Sequence, residues 1–471
     1  MNTYTNPILS GDYPDPTIAR NGQDYYLTYS CAKLTPALKI MHSRDLIHWK
    51  TKNLLLKEGL AGTLAPDLTY HNGLYYLYYP AYGTIFLVTA KDPLGEWSDP
   101  IDLHFHHIDP GHIVTKAGEH YLHTSEGYAA KLTDDGMALA EEPRQVYEGW
   151  DYGERYCTEG FWLESPKLLM RGEYYYLISA QGGTAGPASA HMCVAARSKH
   201  PMGPWENCPH NPIVHTESRA ERWWCRGHGT IFEDHQGQWW IVFHAYEKGF
   251  LSRGRCMLMQ KVEWTQENWP IVLNNAEEAI EINLDGENVG IDDFNDDFAG
   301  SHLKMTWSGW RDYNVDRYTL TGNSLRVSAK DVENLVNANP LTFSAPDHAY
   351  AISVCLHRGA GTRAGLLLLF NNQFYCGIAA EDDGIRLYKQ GKPYIVSPVF
   401  ADRYWLKIIN HHDQIDYQYS IDGITWRRLD FGCEISGWNH NALSGFTSLR
   451  PGFFCCGKGE AEFSDFRYEK L

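Results

Sequence analysis

Along the first 270 residues, apolar and polar positions alternate in short runs, and one arrangement returns five times. A turn residue is followed by a cluster of aromatics and an apolar close. It reads Asp24-Tyr25-Tyr26-Leu27, Gly73-Leu74-Tyr75-Tyr76-Leu77, Gly118-Glu119-His120-Tyr121-Leu122, Gly172-Glu173-Tyr174-Tyr175-Tyr176-Leu177 and Gly237-Gln238-Trp239-Trp240-Ile241. Tyr, Trp and Ile suit a pleated, half-buried surface, so each phrase predicts a tight turn leading into a strand. A unit repeating at roughly fifty residues marks a propeller or solenoid, and five units predict five blades around a channel. Residues 43–49, 90–97 and 198–205 share a turn theme closed by Trp49, Trp97 and Trp205, which predicts an outer turn with a packing anchor. No amphipathic helix of useful length is expected in this half.

The pattern changes near Asn275. Residues 277–297 are acidic and poor in aromatics, which reads as a linker. Alternation returns from Phe298, at residues 324–327, 350–356, 365–370, 405–409 and 415–420, with turns at Asn371-Asn372 and Asp422-Gly423. The five-fold phrase does not continue, so a second all-β domain, a sandwich, is expected. The predicted division is a propeller over 1–275, a linker over 276–297 and a sandwich over 298–471. The linker lacks the Pro, Ser or Gly repetition of a tether, and residues 448–456 are apolar enough to want burial. A substantial hydrophobic interface between the domains is therefore expected.

Composition narrows the function. The chain has 471 residues, 14% aromatic, with a formal net charge of -17. That charge argues against nucleic acid or an anionic membrane as partner, since both need basic patches. No run of about eighteen apolar residues predicts a transmembrane helix, and residues 1–7 are polar, without a signal-peptide core. Eleven cysteines show neither zinc nor disulfide-framework spacing. Reduced thiols in a cytoplasmic protein are expected, or a periplasmic or secreted protein whose leader has been removed. Oligomeric state is left open, a homo-oligomer included.

About eight to twelve residues before each aromatic run stands one polar residue: Asp15, Asp67, Asp109, Glu164 and His228. If the repeat holds, all five occupy innermost strands and face one funnel. Buried carboxylates seldom gather without a use. Four of them suggest a glycosidase, in which one carboxylate serves as base and another, protonated, as acid. A lone Asp before Pro is otherwise a simple turn residue.

The motifs then become specific. The opening Asn6-Pro7-Ile8-Leu9-Ser10-Gly11-Asp12-Tyr13-Pro14-Asp15-Pro16-Thr17-Ile18 resembles that of glycoside hydrolase family 43. Ala65-Pro66-Asp67-Leu68, Ile108-Asp109-Pro110, Glu164-Ser165-Pro166-Lys167-Leu168, Gln181-Gly182-Gly183-Thr184, Arg226-Gly227-His228-Gly229-Thr230 and Gly254-Arg255 follow in the family's order. Val262-Glu263-Trp264 and Trp269-Pro270 complete the last blade's likeness. The resemblance implies a five-bladed propeller that inverts anomeric configuration, acting on xylosides and arabinosides. It implies Asp15 as general base, Glu164 as general acid and Asp109 as the group that raises the acid's pKa and orients it. Arg255 would contact the sugar, or serve only as a structural ion pair. Asp67 would be a pocket or blade-closing residue, and Thr184 is assigned to the substrate site. Leu64 stands where many relatives carry Trp, so one pocket wall is expected to differ. Glu159-Gly160 is a rival for the acid, disfavoured by its distance and strand parity. His228 would either fill the core or touch a calcium ion at the propeller centre, largely through water. His104, His106 and His107 are expected on the surface or in loops. Asp296-Asp297-Phe298, residues 419–426 and residues 463–468 resemble the concanavalin A-like (jelly-roll) β-sandwich of family-43 β-xylosidases. That domain either completes the pocket or binds glycan independently. The expected function is an inverting exo-acting β-xylosidase on xylo-oligosaccharides, with α-L-arabinofuranosidase as the alternative. A non-catalytic sugar-binding propeller is the different-class alternative, disfavoured by the matched acid and base.

Overall fold

The computed structural model describes residues 2–56, 63–273 and 276–471; the predicted boundary at Asn275 lies outside the described residues. Five four-stranded antiparallel sheets form from consecutive strands around a common axis. Their innermost strands are Thr17–Asn21, Asp67–His71, Gly111–Val114, Leu163–Arg171 and Trp223–Glu233. The second strands are Asp24–Thr28, Leu74–Ala81, His120–His123, Tyr174–Gln181 and Trp239–Glu247, one for each aromatic phrase. Their rings are placed there because they pack blade on blade. Tyr25 lies against Phe232 of the fifth blade, Tyr26 against Tyr75 of the second, and Tyr176 of the fourth against Trp264 of the fifth. The first and fifth blades are joined by Thr230 Oγ1, which donates to the Pro16 carbonyl at 2.8 Å, and by a bridge between Leu9 and Met257.

In every blade the chain passes through the left-handed region once at a corresponding place, just before the innermost strand in the first three blades and within it in the last two. Asp15, Ala65, Asp109, Ser165 and His228 have φ of 54, 39, 55, 51 and 51°. Proline follows four of them and Gly229 the fifth. Such a conformation is uncommon outside glycine. Its recurrence at one position in five blades makes it a built-in corner that aims the side chain at the channel mouth. It also corrects the register expected from sequence. The equivalent residues are Asp15, Ala65, Asp109, Ser165 and His228, whereas Asp67 lies two residues further in and Glu164 one residue earlier.

The C-terminal half is a sandwich of an eight-stranded and a seven-stranded sheet. Trp307, Phe343, Ile352, Leu366, Phe453 and Phe466 are among its core residues. The outermost strand of the larger sheet, Leu34–Thr35, comes from the propeller and pairs with Ser308–Trp310. The apolar stretch at 448–456 runs into the strand Arg450–Gly457 within the same sheet. Phe453 and Cys455 point into the sandwich core, and Phe454 and Cys456 pack beside Trp310 and Leu335 on the other face. Its burial is thus inside the sandwich. The domain contact carries apolar packing, with Leu34 against the cluster around Trp310 and Leu335 and the Phe250 ring 4.0 Å from His348, and polar bonds beside it. Lys39 Nζ donates to the carbonyls of Met305, Thr306 and Trp307 at 2.7, 2.9 and 3.3 Å. Glu247 pairs with His348 at 2.8 Å, and Ser252 donates to Asp413 at 2.9 Å. All eleven cysteines are free, and only Cys157 is exposed. Among the described residues the α-helix His440–Leu443 stands alone, and no helix is long and apolar enough to cross a membrane.

Candidate active site

The heads of the innermost strands open into a pocket of about 660 Å³. Asp15, Leu64, Asp109, Glu164, Thr184, His228 and Arg255 all line it, together with Phe446 from the sandwich. Three blade corners supply Asp15, Asp109 and His228. Glu164, one residue before its corner, projects differently: its side chain is 26% exposed, against 6% for Asp15 and 4% for Asp109.

Asp15 is held from several sides. Arg255 Nη1 lies 2.9 Å from Oδ1, Ser30 Oγ donates to Oδ2 at 2.5 Å, and His244 Nδ1 is 3.0 Å from Oδ1. Burial by itself disfavours the carboxylate. The charge of Arg255 first, then that of His228 and the hydrogen bond with His244, outweighs burial and holds Asp15 well below the usual carboxylate range. His244 itself is driven down to about 3, by burial first and by Arg255, so it stays neutral; its Nε2 lies 3.1 Å from Thr184 Oγ1. Asp109 shows the opposite balance. Burial, reinforced by Glu164 and Asp15, pushes it up to about 7 against the opposing charges of His228 and Lys167.

His228 stands between the carboxylates, with Nδ1 3.4 Å from Asp15 Oδ1 and Nε2 3.3 Å from Glu164 Oε2 and 3.9 Å from Asp109 Oδ2. Burial opposes its charge, but Asp15, Glu164 and Asp109 together raise its pKa. The glycine before it is required by space: a Cβ on Gly227 would come within 2.2 Å of the His191 ring. Glu164, His191 and His228 present ligand atoms within 4.8 Å of one another. Neither ring nitrogen of His191 has a hydrogen-bond partner. Calcium takes six to eight oxygens, and two imidazoles with one carboxylate are a nitrogen-rich set that does not fit it as a directly held ion.

Other sequence assignments change. Asp67 is not among the pocket-lining residues. It accepts from Thr17 Oγ1 at 3.3 Å and from the His112 N–H at 2.7 Å, and pairs with Lys167 at 3.1 Å, so it closes blades together. His106 and His107 do line the pocket, carried there by the loop before Asp109; the ring of His107 stacks on Tyr128 at 4.4 Å. Glu159 also reaches the pocket, where its Oε2 accepts from the Ala185 N–H at 3.1 Å. His191 and His244 were missed, since a His flanked by Ala and Met, or by Phe and Ala, reads as core. Trp162 was missed because no strand period reaches it.

The profile of glycosyl hydrolases family 43 matches residues 4–270, and that of the β-xylosidase C-terminal concanavalin A-like domain matches residues 295–469. A xylan 1,3-β-xylosidase of Vibrio sp. is 31% identical over a match covering 59% of each chain. A non-reducing-end α-L-arabinofuranosidase of Bacteroides ovatus is 30% identical, covering 72% of this chain and 67% of its own. The crystal structure of a family-43 protein from Bacillus licheniformis superposes over 100% of both chains, with a TM-score of 0.90 and 28% identity. The chain therefore belongs to glycoside hydrolase family 43, a family of inverting enzymes, and carries the β-xylosidase-type C-terminal sandwich.

Proposed function

We propose that the chain is an exo-acting β-xylosidase releasing xylose from the ends of xylo-oligosaccharides, with Asp15 as general base, Glu164 as general acid and Asp109 as the carboxyl that orients Glu164 and sets the charge around it. The observation that carries this reading is the placement of Asp15 and Glu164 at opposite edges of the His228 ring, 3.4 and 3.3 Å from its two nitrogens. A pair separated by an imidazole and two contacts leaves room for a water between carboxylate and sugar. Inverting glycosidases need that room, with carboxyls about 6.5–9.5 Å apart.

Asp15, kept ionised by Arg255, takes a proton from water as the water oxygen attacks the anomeric carbon. The bond to the leaving oxygen breaks, and Glu164 supplies that oxygen with its proton. Solvent then returns both groups to their starting states. No step runs through a calcium ion. Xyloside is favoured over arabinoside because the C-terminal half matches the β-xylosidase type and its Phe446 lines the pocket. α-L-Arabinofuranosidase is the second reading, supported by the Bacteroides relative.

Within this reading, residues 1–275 are the catalytic propeller, 276–297 the linker, and 298–471 a sandwich that completes the pocket. An oligosaccharide is the partner. The net charge of -17 disfavours nucleic acid and anionic membranes, and a homo-oligomer is compatible with it. Eleven unpaired thiols favour the cytoplasm. The test is hydrolysis of p-nitrophenyl β-xyloside beside p-nitrophenyl α-L-arabinofuranoside. Higher kcat/KM on the xyloside supports the first reading, and the reverse order supports the second.

A further inference from the structure

Asp15, Asp109 and Glu164 lie at different depths in the pocket, and that orders the substrate. Asp15 and Asp109 are buried at the floor, while Glu164 is half-open toward the mouth. An acid that protonates the leaving oxygen must stand on the leaving-group side, so the leaving sugar extends from Glu164 toward solvent. One large aromatic stands at that place, with a second next to it in the chain. Trp162 is 56% exposed and lines the pocket, and Phe161 is 77% exposed. Trp162 and Glu164 line the same pocket.

These rings are exposed but not loose. A Cβ on Gly183 would lie 2.9 Å from Trp162 Cδ1 and 2.5 Å from Glu159 Oε2, so glycine lets the loop press closely on these two side chains. The Gly182 N–H donates to the Trp162 carbonyl at 3.2 Å, and the Glu159 N–H donates to the Gly182 carbonyl at 2.9 Å. Phe161 stacks on Tyr152 at 5.2 Å with planes 22° apart. Large apolar rings held rigidly in water at a pocket mouth indicate a ligand surface, and a sugar ring offers an aromatic its apolar C–H face.

We infer that Trp162, with Phe161 beside it, is the platform on which the leaving-group sugar stacks, making this loop the determinant of preference for oligosaccharides over simple xylosides. The inference rests on the glycosidase reading above. It is tested with the full chain by the ratio of kcat/KM for xylobiose to kcat/KM for methyl β-xyloside, whose leaving group is too small to stack. The ratio is internal, so partial loss of folded protein cancels. Trp162→Ala is expected to lower it about tenfold, the equivalent of roughly 1.4 kcal/mol. Phe161→Ala should lower it less, and Trp162→Phe should recover most of the ratio. An unchanged ratio in Trp162→Ala, both constants falling together, would show that Trp162 only shapes the loop and would overturn the inference. If the wild type cleaves arabinosides instead, the xylosidase reading fails. The same ratio is then read with arabinobiose and methyl α-L-arabinofuranoside, and the platform stands or falls on it.

Discussion

Asp15 and Asp67 are both buried carboxylates at innermost strands, each paired with a cation, yet they occupy different levels of one channel. Asp15 sits at the blade corner, where Arg255 holds it ionised while leaving it on the pocket wall. Asp67 sits two residues deeper than the corner of its own blade. There Lys167 seals it, also donating to the carbonyls of Pro66 and Pro110 at 2.7 and 3.0 Å. With Thr17 and His112 this cluster ties together the first four blades. Depth along the strand, not residue type, separates a group available for chemistry from one that welds the hub.

The sharpest test of that contrast is Asp15→Asn, which should lower kcat by on the order of a thousandfold on every substrate, because no other group takes the water's proton. Its melting temperature should fall too, because Arg255 is left buried without this carboxylate, but the loss of activity per folded molecule should dominate. Lys167→Met should invert the pattern. It leaves Asp67 buried without its cation, so urea unfolding should show a loss of about 3–5 kcal/mol, while activity per folded molecule falls far less than in Asp15→Asn. If Lys167→Met were stable but inactive, the two levels would not be distinct.

Asp109 gives a signed effect. Its folded pKa of about 7 lies above the unfolded value of about 3.9. Between those values the folded protein holds a proton that the unfolded chain has released, so this group makes stability fall as pH rises from about 4 to about 7. Asp109→Asn should flatten that slope, worth on the order of 4 kcal/mol across the window. Urea midpoints measured from pH 4 to 8 read it directly, and a slope unchanged by the substitution would contradict the raised pKa.

The sequence made the five blades legible because each second strand must fill the gap between blades with rings, which leaves a repeated aromatic phrase. Asp15-Pro16 and Asp109-Pro110 were legible as corners, since proline follows where the chain turns. Glu164 was found, but as an equivalent of Asp15; Ser165 holds that position, and only the backbone shows the offset. His191 and His244 carry no sequence signal, because a neutral buried imidazole has the same neighbours as any core residue. Trp162 and Glu159 precede the strand, where no period applies. Leu34–Thr35, a two-residue strand, is too short to leave a pattern. The apolar stretch at 448–456 suggested an interface because a strand covered on both faces and a docking surface look alike in sequence.

The central claim is that Glu164, and not the nearby Glu159, is the acid. Comparing kcat/KM for xylobiose with that for 2,4-dinitrophenyl β-xyloside in Glu164→Gln tests it most directly, since the aryl group leaves without a proton. The expected result is a loss on xylobiose of about a hundredfold or more and a much smaller loss on the aryl substrate, with Glu159→Gln showing no such split. Equal losses on both substrates in Glu164→Gln, or the split appearing in Glu159→Gln instead, would contradict the account.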